Sequence, residues 1–301
     1  MKKILVCLLL AAAASTIHAK KVKPLYKLPE KKETLQTEVI ERPGETKNFL
    51  VASSKGLFKI NTGRSAISLW KEGSVDQILR TEVVGEDGKI LENWYFRTSK
   101  GILFSSDLET FELRNEGLPV LTLKRYDGKE TTFEKQVANL KDICANPLNP
   151  QQLVTATKDA VYFSRDGGRN WKSLGSMSGA TPGGKACGIG SMPVTFEDGT
   201  TGTELVVFMS HPIFGLSYIK VDANKPAWFD VAKGFEMLPS MSSPDEIADI
   251  LPVLKKSEDG SNYVEIYLSN TFIPRIYRFD WPNREAVQIY KGEEPAETID
   301  G

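Results

Sequence analysis

Three aspartates stand at matched places in the sequence. Asp76, Asp142 and Asp249 each precede by two residues an apolar or thiol side chain, Ile78, Cys144 and Leu251, at the start of a β-rich run. Carboxylates that recur in this way could converge on one cation or polar ligand. They could equally close the turns that lead into their own strands, which needs no ligand and explains an aspartate at each place. Cys144 and Cys187 are matched in the same sense, because Lys185-Ala186-Cys187 aligns with Asp142-Ile143-Cys144. Such a pair could join neighbouring repeats by a disulfide if the Cα atoms lie within the usual window. Unpaired, both would be small buried hydrophobes.

Other reactive residue types are sparse. His211 sits in Ser210-His211-Pro212 with no cysteine or carboxylate at metal-ligand spacing, and is expected to be an ordinary loop residue. The glycine-rich residues 178–185 resemble a phosphate loop only superficially, since the required spacing and the following helix are missing. No metal site and no cofactor are expected. The 38 basic and 39 acidic side chains nearly cancel, which argues against a nucleic-acid partner.

The first segment reads as an address. Residues 1–19 combine Met1-Lys2-Lys3, an apolar run from Ile4 to Ala14, and a small residue at Ala19. This is the plan of a cleavable secretory signal, with the cut after Ala19; a retained anchor helix is the alternative. Cys7 lies too early in the run for a lipoprotein cysteine. Cleavage removes Lys2 and Lys3, leaving 36 basic against 39 acidic residues, a net of −3 in place of −1. The mature chain is then expected to be periplasmic or secreted, with no membrane span. Residues 20–36, rich in lysine and proline, read as a basic, solvated linker.

The elements that must position the aspartates and cysteines repeat. Residues 48–60 give a strand, a tight turn at Lys55-Gly56 and a second strand. The same phrase returns at 93–105, 152–164, 204–221 and 263–279. A short strand with an aromatic or aliphatic residue follows each pair, and a strand carrying the matched aspartate precedes most of them. The unit is four antiparallel strands recurring every 45 to 65 residues or so, which describes a β-propeller blade. Residues 37–301 are therefore expected to form an all-β propeller of about five recognisable blades, and if the aspartate-bearing strands are innermost, the three carboxylates could ring one mouth of its channel. The first blade lacks a clear innermost strand. Residues 296–301 resemble the start of one, so the tail either closes the ring or leads towards further blades.

The sharpest motif is Ser164-Arg165-Asp166-Gly167-Gly168-Arg169-Asn170-Trp171. Asp166 can accept from amides of its own turn, Gly167 and Gly168 can supply positive φ, and Trp171 can fold its ring back on the sheet. Ser164 can bond the turn from the other side. The string resembles the Asp-box, also called the bacterial neuraminidase repeat, and its leader Asn146-Pro147-Leu148-Asn149-Pro150 with the strand after it resembles the sortilin-type and assembly-factor forms. A shorter copy stands at Ser105-Ser106-Asp107-Leu108-Glu109-Thr110-Phe111, without the glycine. The resemblance covers about 30 residues closely and implies a propeller, with the box serving structure and not catalysis. More diffusely, the chain is similar to propeller-like N-terminal regions of secreted bacterial glycoside hydrolases.

Sialidases share the box, but their chemistry needs an arginine triad and an Arg-Ile-Pro string ahead of it. The nearest string here, Phe272-Ile273-Pro274-Arg275, is out of order and follows the boxes, so Arg275 is expected to be an exposed turn residue. The function expected is a binding or assembly module for a protein or a cell-envelope glycan. The rival is a glycan-active hydrolase or its accessory domain, although no catalytic set is visible in the sequence.

Overall fold

The computed structural model describes residues 38–292 apart from 42–47, 62–65, 86, 125–126, 159, 177–184, 197, 212, 214, 239–242 and 272. The signal, linker and tail expected at 1–19, 20–36 and 296–301, and all but Lys185 of the glycine-rich stretch, lie outside the described residues. The chain forms two compact units, residues 1–76 and 77–301. The described residues are all-β, with no helix among them.

The first unit holds one antiparallel sheet of β1 (Glu38–Glu41), β2 (Asn48–Ser53), β3 (Gly56–Asn61) and β4 (Ile67–Trp70), in that order. The sequence left this sheet without a first strand, and the structure corrects that. Glu38–Glu41 pairs with β2 in the register Glu38↔Ala52 to Glu41↔Phe49. A four-residue strand with glutamate at both ends carries too little alternation to be seen by pattern alone.

The second unit repeats this plan. Its first sheet is β5 (Val75–Val84), β6 (Ile90–Thr98), β7 (Gly101–Ser105) and β8 (Glu112–Leu113), with the start of β5 at the boundary between the units. Next comes a two-stranded hairpin, β9 (Val120–Lys124) and β10 (Glu130–Val137). The third four-stranded sheet is β11 (Asp142–Asn146), β12 (Asn149–Ala156), β13 (Val161–Ser164) and β14 (Lys172–Ser173). The fourth is β15 (Cys187–Thr195), β16 (Thr201–His211), β17 (Gly215–Lys220) and β18 (Trp228–Val231). The fifth is β19 (Ile247–Lys256), β20 (Asn262–Asn270), β21 (Arg275–Asp280) and β22 (Glu285–Lys291). Every four-stranded sheet is antiparallel with its strands in sequence order.

Strand alternation explains how these sheets stack. On β16, Leu205, Val207 and Met209 enter a core shared with Val154 and Phe163 of the third sheet. The intervening Val206 and Phe208 enter a different core, shared with Ile250, Val264 and Phe279 of the fifth sheet. Successive side chains point to opposite faces, so an unbroken apolar run means a sheet buried on both. On β12, Leu153 likewise faces Tyr95 and Ile102 of the second sheet, while Val154 faces the fourth. Close approach is built in at Gly188 of β15, where a Cβ would lie 2.4 Å from Ile250 Cγ2 of β19.

One repeated device was missed in the sequence. Four hairpins close on the same tip, Asp87-Gly88-Lys89, Asp127-Gly128-Lys129, Asp198-Gly199-Thr200 and Asp259-Gly260-Ser261. In each, an aspartate Oδ1 accepts from the amide two residues on, at 2.9 to 3.1 Å, and the glycine has φ between +76° and +86°. These are self-contained turns whose carboxylates are used by their own amides.

Candidate functional site

The turn at 164–171 ties the second sheet to the third. Ser164 Oγ donates to Asp166 Oδ1 at 2.8 Å and accepts from the Gly168 amide at 2.9 Å. Asp166 accepts from the amide and side chain of Asn170 at 2.9 and 2.7 Å. Burial works against ionisation of Asp166, but these bonds outweigh it and hold the carboxyl below the usual range. Gly167 and Gly168 take φ of +67° and +83°. Trp171 is 5% exposed, and its indole N–H donates across to the Arg114 carbonyl at 2.9 Å.

The shorter copy closes in the same way. The Ser105 hydroxyl accepts from Leu108 N, and Asp107 accepts from the amides of Glu109 and Thr110 and from the Thr110 hydroxyl. The Thr110 and Glu109 amides, in that order, hold Asp107 far below the usual carboxylate range. Leu108 takes the positive φ, +62°, where the longer turn has glycine. Phe111 stands in the place of Trp171 and meets Phe96 at 6.2 Å between ring centroids.

Arg114 completes the clasp. It is buried, lies 3.2 Å over the centroid of Phe104, and donates to the Gly167 carbonyl and Glu112 Oε1, each at 2.6 Å. The Trp171 amide donates to the Glu116 carbonyl at 2.8 Å. Gly117 sits against that crossing, with φ +85°, and a Cβ there would lie 2.0 Å from the Trp171 carbonyl oxygen. Gly117→Ala is therefore expected to destabilise by more than about 2 kcal/mol, since strain in the left-handed region adds to a backbone clash. Gly175→Ala is the control, because φ is +77° there but nothing lies within 4 Å. Urea unfolding of the two variants checks this, and similar losses would refute the steric part.

Beside the clasp is an open groove of about 650 Å³. It is lined by residues 112–118, by Val120, Gln136 and Val137 of the β9–β10 hairpin, and by Arg169. The hairpin that follows Gly117-Leu118-Pro119 thus forms one wall. Arg169 belongs to the turn at 164–171 but makes none of its bonds. Its charge, with that of Arg114, opposes the effect of burial, which lifts the Tyr95 phenol beneath the turn above its ordinary range.

A second polar junction surrounds Asp142, which is buried. Its Oδ1 accepts from Gln77 Nε2 at 2.7 Å and from the Ile143 amide at 2.8 Å, and its Oδ2 accepts from the Cys187 amide at 2.9 Å. One carboxyl thereby joins β5, β11 and β15. Arg97 braces the junction by donating to Gln77 Oε1 and to the Leu140 carbonyl. Burial first, and Asp249 second among the groups that raise it, push Asp142 up to about 6. Of the three matched aspartates, Asp142 and Asp249 lie close enough for the charge of Asp249 to raise Asp142. Asp142 is spent on the chain's own amides, Asp249 is half-buried on β19, and Asp76 is half-buried at the boundary of the first unit. No group of three metal-ligating side chains comes together among the described residues.

The disulfide that the matched register allowed is not formed, and Cys144 and Cys187 are both thiols. They do occupy the first strands of neighbouring sheets, but matched register does not aim the sulfurs at each other. Cys144 Sγ faces the Ala145 carbonyl at 3.7 Å and Cys187 Sγ the Val154 carbonyl at 3.8 Å. Burial raises the Cys187 thiol well above its ordinary value. Two further expectations need correction. His211 is a buried residue of β16, and its Nδ1 accepts from the Ile213 amide at 3.1 Å. Arg275 opens β21 at 1% exposure and pairs with Glu236 at 2.8 Å, so it is no surface turn residue.

No family model and no curated protein matches the chain. The solved structures it is similar to include the extracellular domain of a one-component system from Bacteroides thetaiotaomicron, at 12% identity and a TM-score of 0.45, covering 87% of this chain and 29% of that one. An auxiliary nutrient binding protein from the same organism shows 8% identity and a TM-score of 0.43, with 83% and 56% covered. A GH74 xyloglucanase from Xanthomonas campestris shows 12% and 0.43, with 83% and 37% covered. The chain spans between 29% and 56% of the length of these proteins. None of these likenesses carries an activity or a ligand to it.

Proposed function

We propose that this chain is a β-propeller working outside the cytoplasm as a binding or assembly module, with a protein or a cell-envelope glycan as partner. The observation that supports it most is the stacking of consecutive four-stranded sheets, with the third and fourth packed on both faces through β12 and β16. A hairpin and a groove standing on such a scaffold are where function collects. Within this proposal, residues 37–301 form the propeller and the turns at 105–111 and 164–171 are Asp-boxes. Residues 1–19 are a cleaved signal and residues 20–36 a basic linker. Export in a bacterial host followed by N-terminal sequencing is expected to give Lys20 as the first residue. Retention of Met1 on exported protein would refute cleavage.

The rival is hydrolysis of a glycan, which needs two carboxyl groups facing each other about 5 to 10 Å apart. Glu112 and Glu116 both line the groove, but Glu112 is committed to Arg114. Soluble polysaccharides such as xyloglucan are expected to release no reducing sugar on incubation with the protein. Release that disappears in Glu116→Gln would replace binding with hydrolysis.

A further inference from the structure

We propose that the groove between β8, the β9–β10 hairpin and Arg169 binds an extended segment of a partner protein. An apolar side chain of that segment seats between Leu113 and Val120, flanked by an acidic residue at Arg169 and a basic one at Glu116. This rests on the binding-module function above and narrows the partner to a protein.

Four observations support it. Leu113 and Val120 line the groove at 47% and 43% exposure, an apolar floor left to solvent. Arg169, Glu116 and Gln136 line it too, and their side chains make no hydrogen bond or ion pair among the described residues, while Arg114 and Glu112 are engaged in the clasp and Asn115 bonds Lys100 and Ile102 of its own sheet. An unspent cation and an unspent carboxylate at one groove give a segment its direction, since each attracts the opposite charge and repels its own. An edge is also available. β8 is the last strand of its sheet, so no further strand pairs with its outer edge among the described residues. An extended chain can hydrogen-bond along such an edge while alternate side chains enter the groove. Finally, the lining contains no aromatic ring. The broad apolar face on which a sugar ring stacks is absent from this lining, whereas a short aliphatic floor fits an aliphatic side chain.

The test selects a random dodecapeptide phage library on the mature protein. Enriched sequences are then titrated as fluorescein-labelled peptides by anisotropy. Enrichment of an apolar residue between an acidic and a basic one is expected. Binding should weaken at least tenfold in Leu113→Asp and in Arg169→Ala, both exposed substitutions that leave the melting temperature unchanged. Glu116→Lys should weaken binding too, and exchanging the peptide's basic residue for glutamate should restore it. Peptides bound equally by wild type and variants overturn the groove and leave the binding module standing. Xyloglucan or peptidoglycan fragments that bind wild type and not Leu113→Asp overturn the protein partner. Failure of every peptide and glycan to bind overturns both proposals.

Discussion

Trp171→Ala is expected to lower the melting temperature by roughly 8–15 °C, the consequence of losing about 4 kcal/mol in a unit of this size. Two contributions add. The indole ring belongs to the core that joins the second and third sheets, beside Tyr95, Ile102, Leu118, Ile143 and Leu153. Truncation leaves a cavity there, and such cavities collapse only in part. The indole N–H also satisfies the Arg114 carbonyl, which would be left buried and without that donor. Trp171→Phe separates the two, since it keeps most of the ring and removes only the hydrogen bond. Its expected cost is about 1 kcal/mol. Thermal and urea unfolding of both variants decide the matter. A Trp171→Ala protein melting within 2 °C of wild type would show that the clasp is not a cohesive element.

The same tryptophan shows why part of the fold could be read in the sequence. Ser164, Asp166, Gly168 and Trp171 act within eight residues, so their bonds are local and their spacing carries the information. The strand phrases were legible for a similar reason, because short unbroken apolar runs such as Leu205-Val206-Val207-Phe208-Met209 report burial on both faces. The partners of those faces were not legible. Arg275 looked like a turn residue because its carboxylate partner, Glu236, belongs to a distant segment. The groove draws on residues 112–118, on the β9–β10 hairpin and on Arg169, and no window of sequence contains all three. Arg169 in particular occupies a variable position of its motif, where pattern says nothing. The Asp-Gly hairpin tips were visible four times over, but they fall between the phrases that define the repeat. The matched cysteines show the opposite failure. Register placed both on the first strands of neighbouring sheets, yet register does not fix where a sulfur points.

Asp142 carries the largest effect of pH. Its carboxyl is pushed from 3.8 to about 6, first by burial and then by the neighbouring charge of Asp249, against the pull of the Cys187 amide, Gln77 and Arg97. A carboxyl raised in the folded state binds its proton more tightly there than in the unfolded chain. Between about pH 4 and 6 the folded protein therefore holds more protons, and stability falls as pH rises through that window. Burial of the ionised carboxyl therefore costs the folded state on the order of 3 kcal/mol at pH 7 relative to an unshifted carboxyl. Acidification from pH 7 to 5 is thus expected to stabilise the wild type. Further acidification reverses the trend, because Asp107, Asp166 and Asp259 have folded-state values below the ordinary carboxylate range and lose their stabilising bonds only when protonated. Asp142→Ala should abolish the gain between pH 7 and 5. It should also cost about 2–4 kcal/mol at pH 7, because the Cys187 and Ile143 amides and the Gln77 amide group lose a buried acceptor. Since the wild type gains on acidification and the variant does not, the gap between them should widen at pH 5. Urea unfolding of both proteins at the two pH values measures it. A gap unchanged between pH 7 and 5 would mean that the carboxyl joining β5, β11 and β15 titrates as an ordinary surface acid.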